Sequence, residues 1–252
     1  MVEDHLRALI AADTVEALWS LHTRKMAEYG FDRLLYGFTY YKTERSFGPM
    51  DDLTILSSHS EAYNKGFVNN RMFEDGPMVQ WAVEHEGFCS WQRTQDAYAS
   101  GQLPEKARRV VEFNREMGVV AGYTISFRQI STRSKGAIGL AARLGLSQAE
   151  VDEIWAEHGQ RIMLMNDILH LKIHNLPSSE ARPLLTPRQR EALEWVGDGK
   201  TMQDIATILG VSQATVEKHL RLARTALGVE TTAQAVLKAW FQHQIFRVTR
   251  QD

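Results

Sequence analysis

The sequence predicts an α+β protein in two parts. The first is an N-terminal α/β/α sandwich on a central antiparallel sheet; the second is a small all-α four-helix domain built around a helix-turn-helix. Three observations predict this. Short strand-like runs alternate with helical runs over residues 1–174. The stretch NLPSSEARP, residues 175–183, holds two prolines and two serines between helical patterns and reads as a linker. Beyond it, residues 184–252 carry capped amphipathic runs with turn signals between them.

The elements follow in order. Residues 2–29 read as two helices, the second capped by Asp13 with Glu16 in the reciprocal position. RLLYGFTYY (33–41) and LTILSSH (53–59) read as strands, EAYNKGFVNNRMF (61–73) and PMVQWAVEHE (77–86) as helices. LPEKARRVVEFNREMG (103–118) is a helix stopped by Gly118, and GYTISFRQI (122–130) and GAIGLAAR (136–143) are strand-like. From Ser147 to about His174 runs one long helix, with Val151, Ile154, Trp155, His158, Ile162, Met165, Leu169 and Ile173 at helical spacing. Part of that face must pack on the sheet, and the surplus could meet a twofold mate in a homodimer, with a helix buried within one subunit as the alternative. Tyr36, Phe38, Tyr40, Trp81 and Phe88 could line a pocket or fill the core.

In the second part, Thr186 is the expected N-cap, Pro187 opens the helix, Gln189 closes a capping box, and Ala192, Leu193 and Val196 form a core stripe. The run from Thr201 to Leu209 buries Ile205, Ala206 and Leu209, and the turn at Gly210 leads to Ser212 as the next N-cap. Placed about 100° apart around an axis, Val216, Leu220, Ala223 and Leu227 make an apolar stripe. Ala214, Lys218, Arg221 and Thr225 lie opposite, flanked by Glu217 and Arg224. Gly228 ends this helix and a fourth begins after Thr231. A tight turn sets two helices at a steep angle, so the second can enter a DNA major groove while the first crosses the backbone. An ordinary helical corner with a solvated basic face is the plainer alternative.

The net charge of −2 averages two unlike parts: residues 183–252 carry nine Lys and Arg against seven Asp and Glu, the rest twenty against twenty-four. Duplex binding must therefore rest on a local patch, which a symmetric dimer would double. One cysteine forms no internal disulfide, no secretory leader is evident, and no apolar run reaches the roughly 20 residues that cross a bilayer. A cytoplasmic protein without a membrane role is expected. No enzyme is expected either: Cys89 follows His85 by four residues, but Gly87 breaks the helix that would align them, and the histidines show no metal-binding spacing. An acidic pair at residues 51 and 52 precedes a strand, where a phosphorylated receiver would need it to follow.

LTPRQREALEW, GKTMQDIATILGVSQATVEKHL and ALGVETTAQAV, within residues 185–240, resemble the DNA-binding domain of the LuxR family of quorum-sensing regulators. The resemblance implies a dimeric transcription regulator that binds an inverted repeat in double-stranded DNA. It implies that Lys218 and Arg221 face base edges and that Lys200, Thr201 and Thr215 lie near phosphates. Gln213, Glu217 and Arg224 complete the candidate DNA face, Glu217 standing where many relatives carry a cation.

A weaker resemblance extends into residues 1–174, whose relatives sense acyl-homoserine lactones. Pro77 and Trp91 match the family's proline and last tryptophan; at its other head-group positions stand His59, Tyr63, Phe67 and Gly76. Asp75 lies one residue from the aspartate position, and adjacent side chains point in different directions. A carboxylate holding a ligand amide would form a charge-assisted hydrogen bond of about 1.5–3 kcal/mol. Tyr63 can offer one O–H to a carbonyl, and Phe67 keeps a wall without a hydroxyl. GAIGLAAR supplies only apolar residues where relatives have serine or threonine. A pocket so stripped of polar groups favours an apolar or aromatic guest over a lactone. No cofactor is expected. The implied ligand is an acyl-homoserine lactone or another hydrophobic signal; a regulator that folds and dimerises without one is the alternative.

Overall fold

The computed structural model describes residues 2–43, 47–129, 131–176 and 185–246. The chain divides into two compact units, residues 1–174 and 175–252. The expected linker lies outside the described residues from position 177 onward.

The first unit opens with α1 (Val2–Ala11) and α2 (Val15–Glu28), followed by β1 (Phe31–Thr39) and β2 (Thr54–Ser57). Then come α3 (Glu61–Tyr63), α4 (Pro77–Glu84), β3 (Gly87–Ser90), α5 (Gln92–Ala99) and α6 (Glu105–Glu116). β4 (Gly122–Ser126), β5 (Lys135–Ala142) and α7 (Gln148–Ile173) complete it. The sheet runs β2-β1-β5-β4-β3, and every neighbouring pair is antiparallel. This is the expected α+β sandwich.

Alternation along the central strands gives the sheet two unlike faces. On one, Leu34, Tyr36 and Phe38 of β1 stand opposite Leu140, Ile138 and Gly136 of β5. All but the glycine are core residues, and α2 and α7 pack over them. On the other face, Leu35, Gly37 and Thr39 stand opposite Gly139, Ala137 and Lys135. Between Leu35 and Lys135 this face carries only Gly37, Thr39, Ala137 and Gly139, and α4 lies against β4 and β5.

α7 begins with Ser147 and Glu150 satisfying each other's backbone donors in a capping box. Val151, Trp155, Ile162, Met165, Leu169 and Ile173 are buried along it, while Leu164 and Leu171 stand 48% and 59% exposed. Ile154 and His158 of the expected face are only half-buried. Where α1, α2 and α7 meet, His22 is fully buried, with Nδ1 3.4 Å from His5 Nε2 and Nε2 3.1 Å from Asn166 Oδ1. Burial drives the His22 pKa down to about 3, so the ring is neutral.

Several expectations are corrected. The α2 cap is Thr14, not Asp13: its backbone is extended and its hydroxyl accepts from Ala17 N at 3.1 Å. The helix expected over 61–73 is broken into α3, a π-helical turn at Asn64–Asn69 and a 3-10 turn at Met72–Asp75, with Arg71 left-handed between the last two. Asparagines and Gly66 make this stretch a poor α-helix, and a Cβ on Gly66 would meet the Phe113 ring at 2.5 Å. β3 and α5 were not expected: four strand residues after Gly87 are too few to show a period.

The second unit consists of α8 (Pro187–Gly197), α9 (Met202–Leu209), α10 (Gln213–Leu227) and α11 (Thr232–Phe241). Thr186 with Gln189, Thr201 with Asp204, and Thr231 with Gln234 form capping boxes. Gly210 ends α9 at φ +66°, a left-handed corner that costs glycine nothing and reverses the chain into Ser212. Ala192, Leu193, Ile205, Val216, Leu220, Ala223, Leu227, Ala235 and Ala239 share one core, with Val196 and Leu209 partly buried against it. Burial of each larger aliphatic side chain contributes about 1.5–3 kcal/mol.

Candidate functional site

The short-sided face of the sheet bounds a cavity of about 490 Å³. Its floor is Leu35, Gly37, Ala137 and Gly139, and its walls include Phe67, Phe73, Val79 and Val110. A Cβ added to Gly37 would have no atom within 4 Å, so open space lies directly above that residue. Trp91 lies across the two neighbouring strands: a Cβ on Gly139 would touch its ring at 3.7 Å, and one on Gly122 would collide with it at 2.9 Å. The void thus arises from residues that withhold side chains.

Of the sequence-predicted ligand residues, His59, Tyr63, Phe67, Gly76 and Trp91 line this cavity together. Asp75 is not among the lining residues; it closes the 3-10 turn, is 46% exposed, and sits 4.0 Å from Lys106 Nζ on the exterior. Gly76 lines the wall as the N-cap of α4, directly before Pro77. His59, Tyr63 and Phe67 form a stack, with ring centroids 4.1 Å and 5.1 Å apart in succession. The stack runs from His59, just before the Ser60 cap, through Tyr63 at the end of α3 to Phe67 in the π-helical turn.

The polar atoms are unequally free. The Tyr63 hydroxyl donates to Asn114 Oδ1 at 3.1 Å, and the Trp91 indole N–H donates to Thr124 Oγ1 at 2.9 Å. Both groups expected to face a guest are thus committed within the protein. Burial raises the Tyr63 pKa well above the usual phenol range, so it stays neutral. His59 differs: among the described residues its ring nitrogens take no hydrogen bond, although its main chain bonds the Ser57 hydroxyl and the Asn64 amide. Burial, and secondarily the Arg33 guanidinium, lower its pKa to about 4. A neutral imidazole offers one donor and one acceptor here. Sequence reasoning missed Asn114, Thr124 and Lys135 on this wall. Lys135 carried a signal, a charge just before the otherwise apolar GAIGLAA.

Phe88 stands 54% exposed against Trp155, 5.2 Å between centroids, and Trp81 stacks on His85. The Tyr36 hydroxyl lies 2.9 Å from His170 Nδ1, so its ring serves the packed face. Cys89 lies in β3 with Sγ donating to Ser90 O, and burial raises its pKa, the reverse of an activated nucleophile.

In the second unit the apolar stripe of α10 is buried and the opposite side is bare. Gln213, Lys218 and Arg221 are exposed, and neither cation bonds another described residue through its side chain. Lys200 and Thr201 are exposed at the start of α9, where backbone N–H groups and the helix dipole favour an anion. Thr215 is half-buried, its hydroxyl 2.9 Å from the Ser212 cap. Arg224 is drawn inward, with one guanidinium nitrogen 3.0 Å from Glu217 Oε1 and another donating to Thr232 Oγ1 at 2.8 Å. Glu217 therefore neutralises Arg224, and on α10 the unpaired positive charge among the described residues narrows to Lys218 and Arg221.

Comparison with known proteins assigns a family to each unit. Residues 14–173 match the autoinducer binding domain, and residues 183–239 match the luxR family of bacterial regulatory proteins. The chain is 25% identical to the transcriptional activator protein LuxR of Aliivibrio fischeri over 75% of its length and 73% of that protein's. It is 25% identical to the transcriptional activator protein AnoR of Acinetobacter nosocomialis over 94% and 95% of the two lengths. A structure of SdiA in complex with octanoyl-rac-glycerol superposes with a TM-score of 0.56 at 16% identity, covering 96% of this chain and 93% of that one. The chain belongs to the LuxR-type regulators, with an autoinducer-binding domain followed by a luxR-family helix-turn-helix domain.

Proposed function

We propose that this protein is a DNA-binding transcription regulator of the quorum-sensing type whose N-terminal domain takes a hydrophobic acyl or aryl signal. The observation that carries the reading is the 490 Å³ void over Gly37, a volume within the usual range for small-molecule sites. A guest places its apolar body over the Gly37 and Gly139 floor and its carbonyl or amide against the neutral His59 ring. An acyl-homoserine lactone fits that description without the carboxylate its relatives use, since Asp75 stays outside.

A guest that binds only the folded chain stabilises it by mass action, about 2.7 kcal/mol at a hundredfold excess over its dissociation constant. Thermal unfolding against acyl-homoserine lactones of graded chain length tests this. A saturable rise in midpoint is expected; a flat response across apolar, aromatic and lactone compounds would favour the ligand-independent regulator.

On the DNA side, α10 enters a major groove and the protein acts as a homodimer on an inverted repeat. The bare Leu164 and Leu171 of α7 support a twofold mate. Arg221→Ala should weaken specific binding by about 1–3 kcal/mol if it reads a base. Lys200→Ala should weaken all sequences alike and flatten the salt dependence. Gel shifts on specific and random duplexes separate the two, and an Arg221→Ala protein that holds its operator like the parent would remove α10 as the reading helix.

A further inference from the structure

The cavity has a second polar pole, at the opposite end of β1 from His59. Lys135 opens β5, faces Thr39 across the ladder and lines the cavity, yet is only 6% exposed. Its ammonium has three donors. One goes to the carbonyl of His85, at 2.9 Å, an oxygen that the Ser126 hydroxyl also approaches at 2.6 Å. Among the described residues the other two have no partner, and no described carboxylate lies within 4.0 Å of the nitrogen.

The surroundings do not settle this charge. The nearest acid, Glu86, has an oxygen accepting from the Gln129 N–H at 2.8 Å, and Lys42 adds a like charge, its Nζ 3.5 Å from Val83 O. Burial accordingly pulls the Lys135 pKa below the usual lysine range. The Thr39 hydroxyl is occupied by Phe47 O and by Tyr41 N, both at 2.9 Å. A buried cation with one shared acceptor is costly unless something else accepts from it. The Lys135–His85 bond alone would account for a lysine stapling the end of α4, but it leaves two donors at the cavity wall without a described partner.

We propose that Lys135 makes this end of the cavity a seat for a carboxylate, so that the preferred guest is an apolar acid. The acid group accepts from Lys135, the hydrocarbon or aryl body lies over Ala137, Gly37 and Gly139, and the far end reaches the His59 and Tyr63 stack. From Thr39 to Leu35 is four residues along β1, about 13 Å of strand. The inference rests on the reading of the void as a guest site and names the class of guest.

The test uses the full chain, near neutral pH, with decanoic acid, methyl decanoate and N-decanoyl-homoserine lactone, each titrated by calorimetry and thermal unfolding. The unaltered protein should bind the acid roughly tenfold or more tighter than the ester. Lys135→Met should abolish that preference while leaving ester binding in place, and Lys135→Arg should keep it. An ester bound as tightly as the acid overturns the inference without any variant, as does a preference that survives Lys135→Met. If the lactone binds and the acid does not, the guest-site reading stands and the carboxylate seat falls; if none of the three binds, both fall.

Discussion

The two faces of the one sheet are made from the same strands, yet one is solid and the other hollow. On β1, Leu34, Tyr36 and Phe38 press into α2 and α7, while the intervening Leu35, Gly37 and Thr39 leave room. On β5, Ile138 and Leu140 alternate in the same way with Ala137 and Gly139. Because side chains change face at every residue, a strand can carry two independent patterns of size, one for cohesion and one for capacity. The fold spends its large residues on one side and is free to be sparing on the other.

The sharpest way to break this contrast is on the packed side. Ile138→Ala, at a fully buried position, should cost about 2–5 kcal/mol in urea unfolding, because the surrounding helices cannot close the gap. A loss under 1 kcal/mol would mean that this face is looser than its burial implies.

Next in size is acidity, which acts on both faces. His22 and His170 have pKa values lowered to about 3 and His59 to about 4, in each case chiefly by burial. Above the ordinary histidine value of about 6.5 they are neutral whether the chain is folded or not; below it only the unfolded chain takes up the protons. Stability is therefore complete near neutral pH and falls as the pH drops from there towards 3 or 4. By pH 5 each ring should have cost about 2 kcal/mol. His170→Gln on the packed face and His59→Gln on the hollow one should each remove one share of that slope; a urea midpoint constant from pH 7.5 to 5 would contradict the burial of all three.

The smallest change in stability belongs to the hollow face. Gly37 has no left-handed backbone and nothing within 4 Å of an added Cβ. Gly37→Leu should hold its unfolding free energy within about 1 kcal/mol of the parent while losing the midpoint rise that a guest produces. Equal loss of both would mean that Gly37 is structural and the void incidental.

The legibility of the sequence follows the same division. Caps at Thr186 and Ser212, the helix start after Thr231, and the stripe of Val216, Leu220, Ala223 and Leu227 were readable because local spacing alone decides them. The cavity was readable only in part. GAIGLAA announces small residues, but a void is defined by what stands opposite, and the pairing of Gly37 with Ala137 and of Leu35 with Gly139 is fixed by strand register, which no local pattern contains. For the same reason the Tyr63 and Trp91 donors were expected to serve a guest, whereas Asn114 and Thr124, each over thirty residues away, claim them. Thr14 displaced Asp13 as a cap by a shift of one residue, the distance at which helix boundaries are least certain.

The floor of glycine and alanine at 37, 137 and 139 carries one more consequence. On the proposed reading of the void as a guest site, selectivity written in missing methyl groups changes by small steps, each altering how deep the chamber is without disturbing the scaffold that frames it. On that reading, a single added methyl at any of these three positions shrinks the bulk of guest admitted while the packed face of the sheet stays as it is.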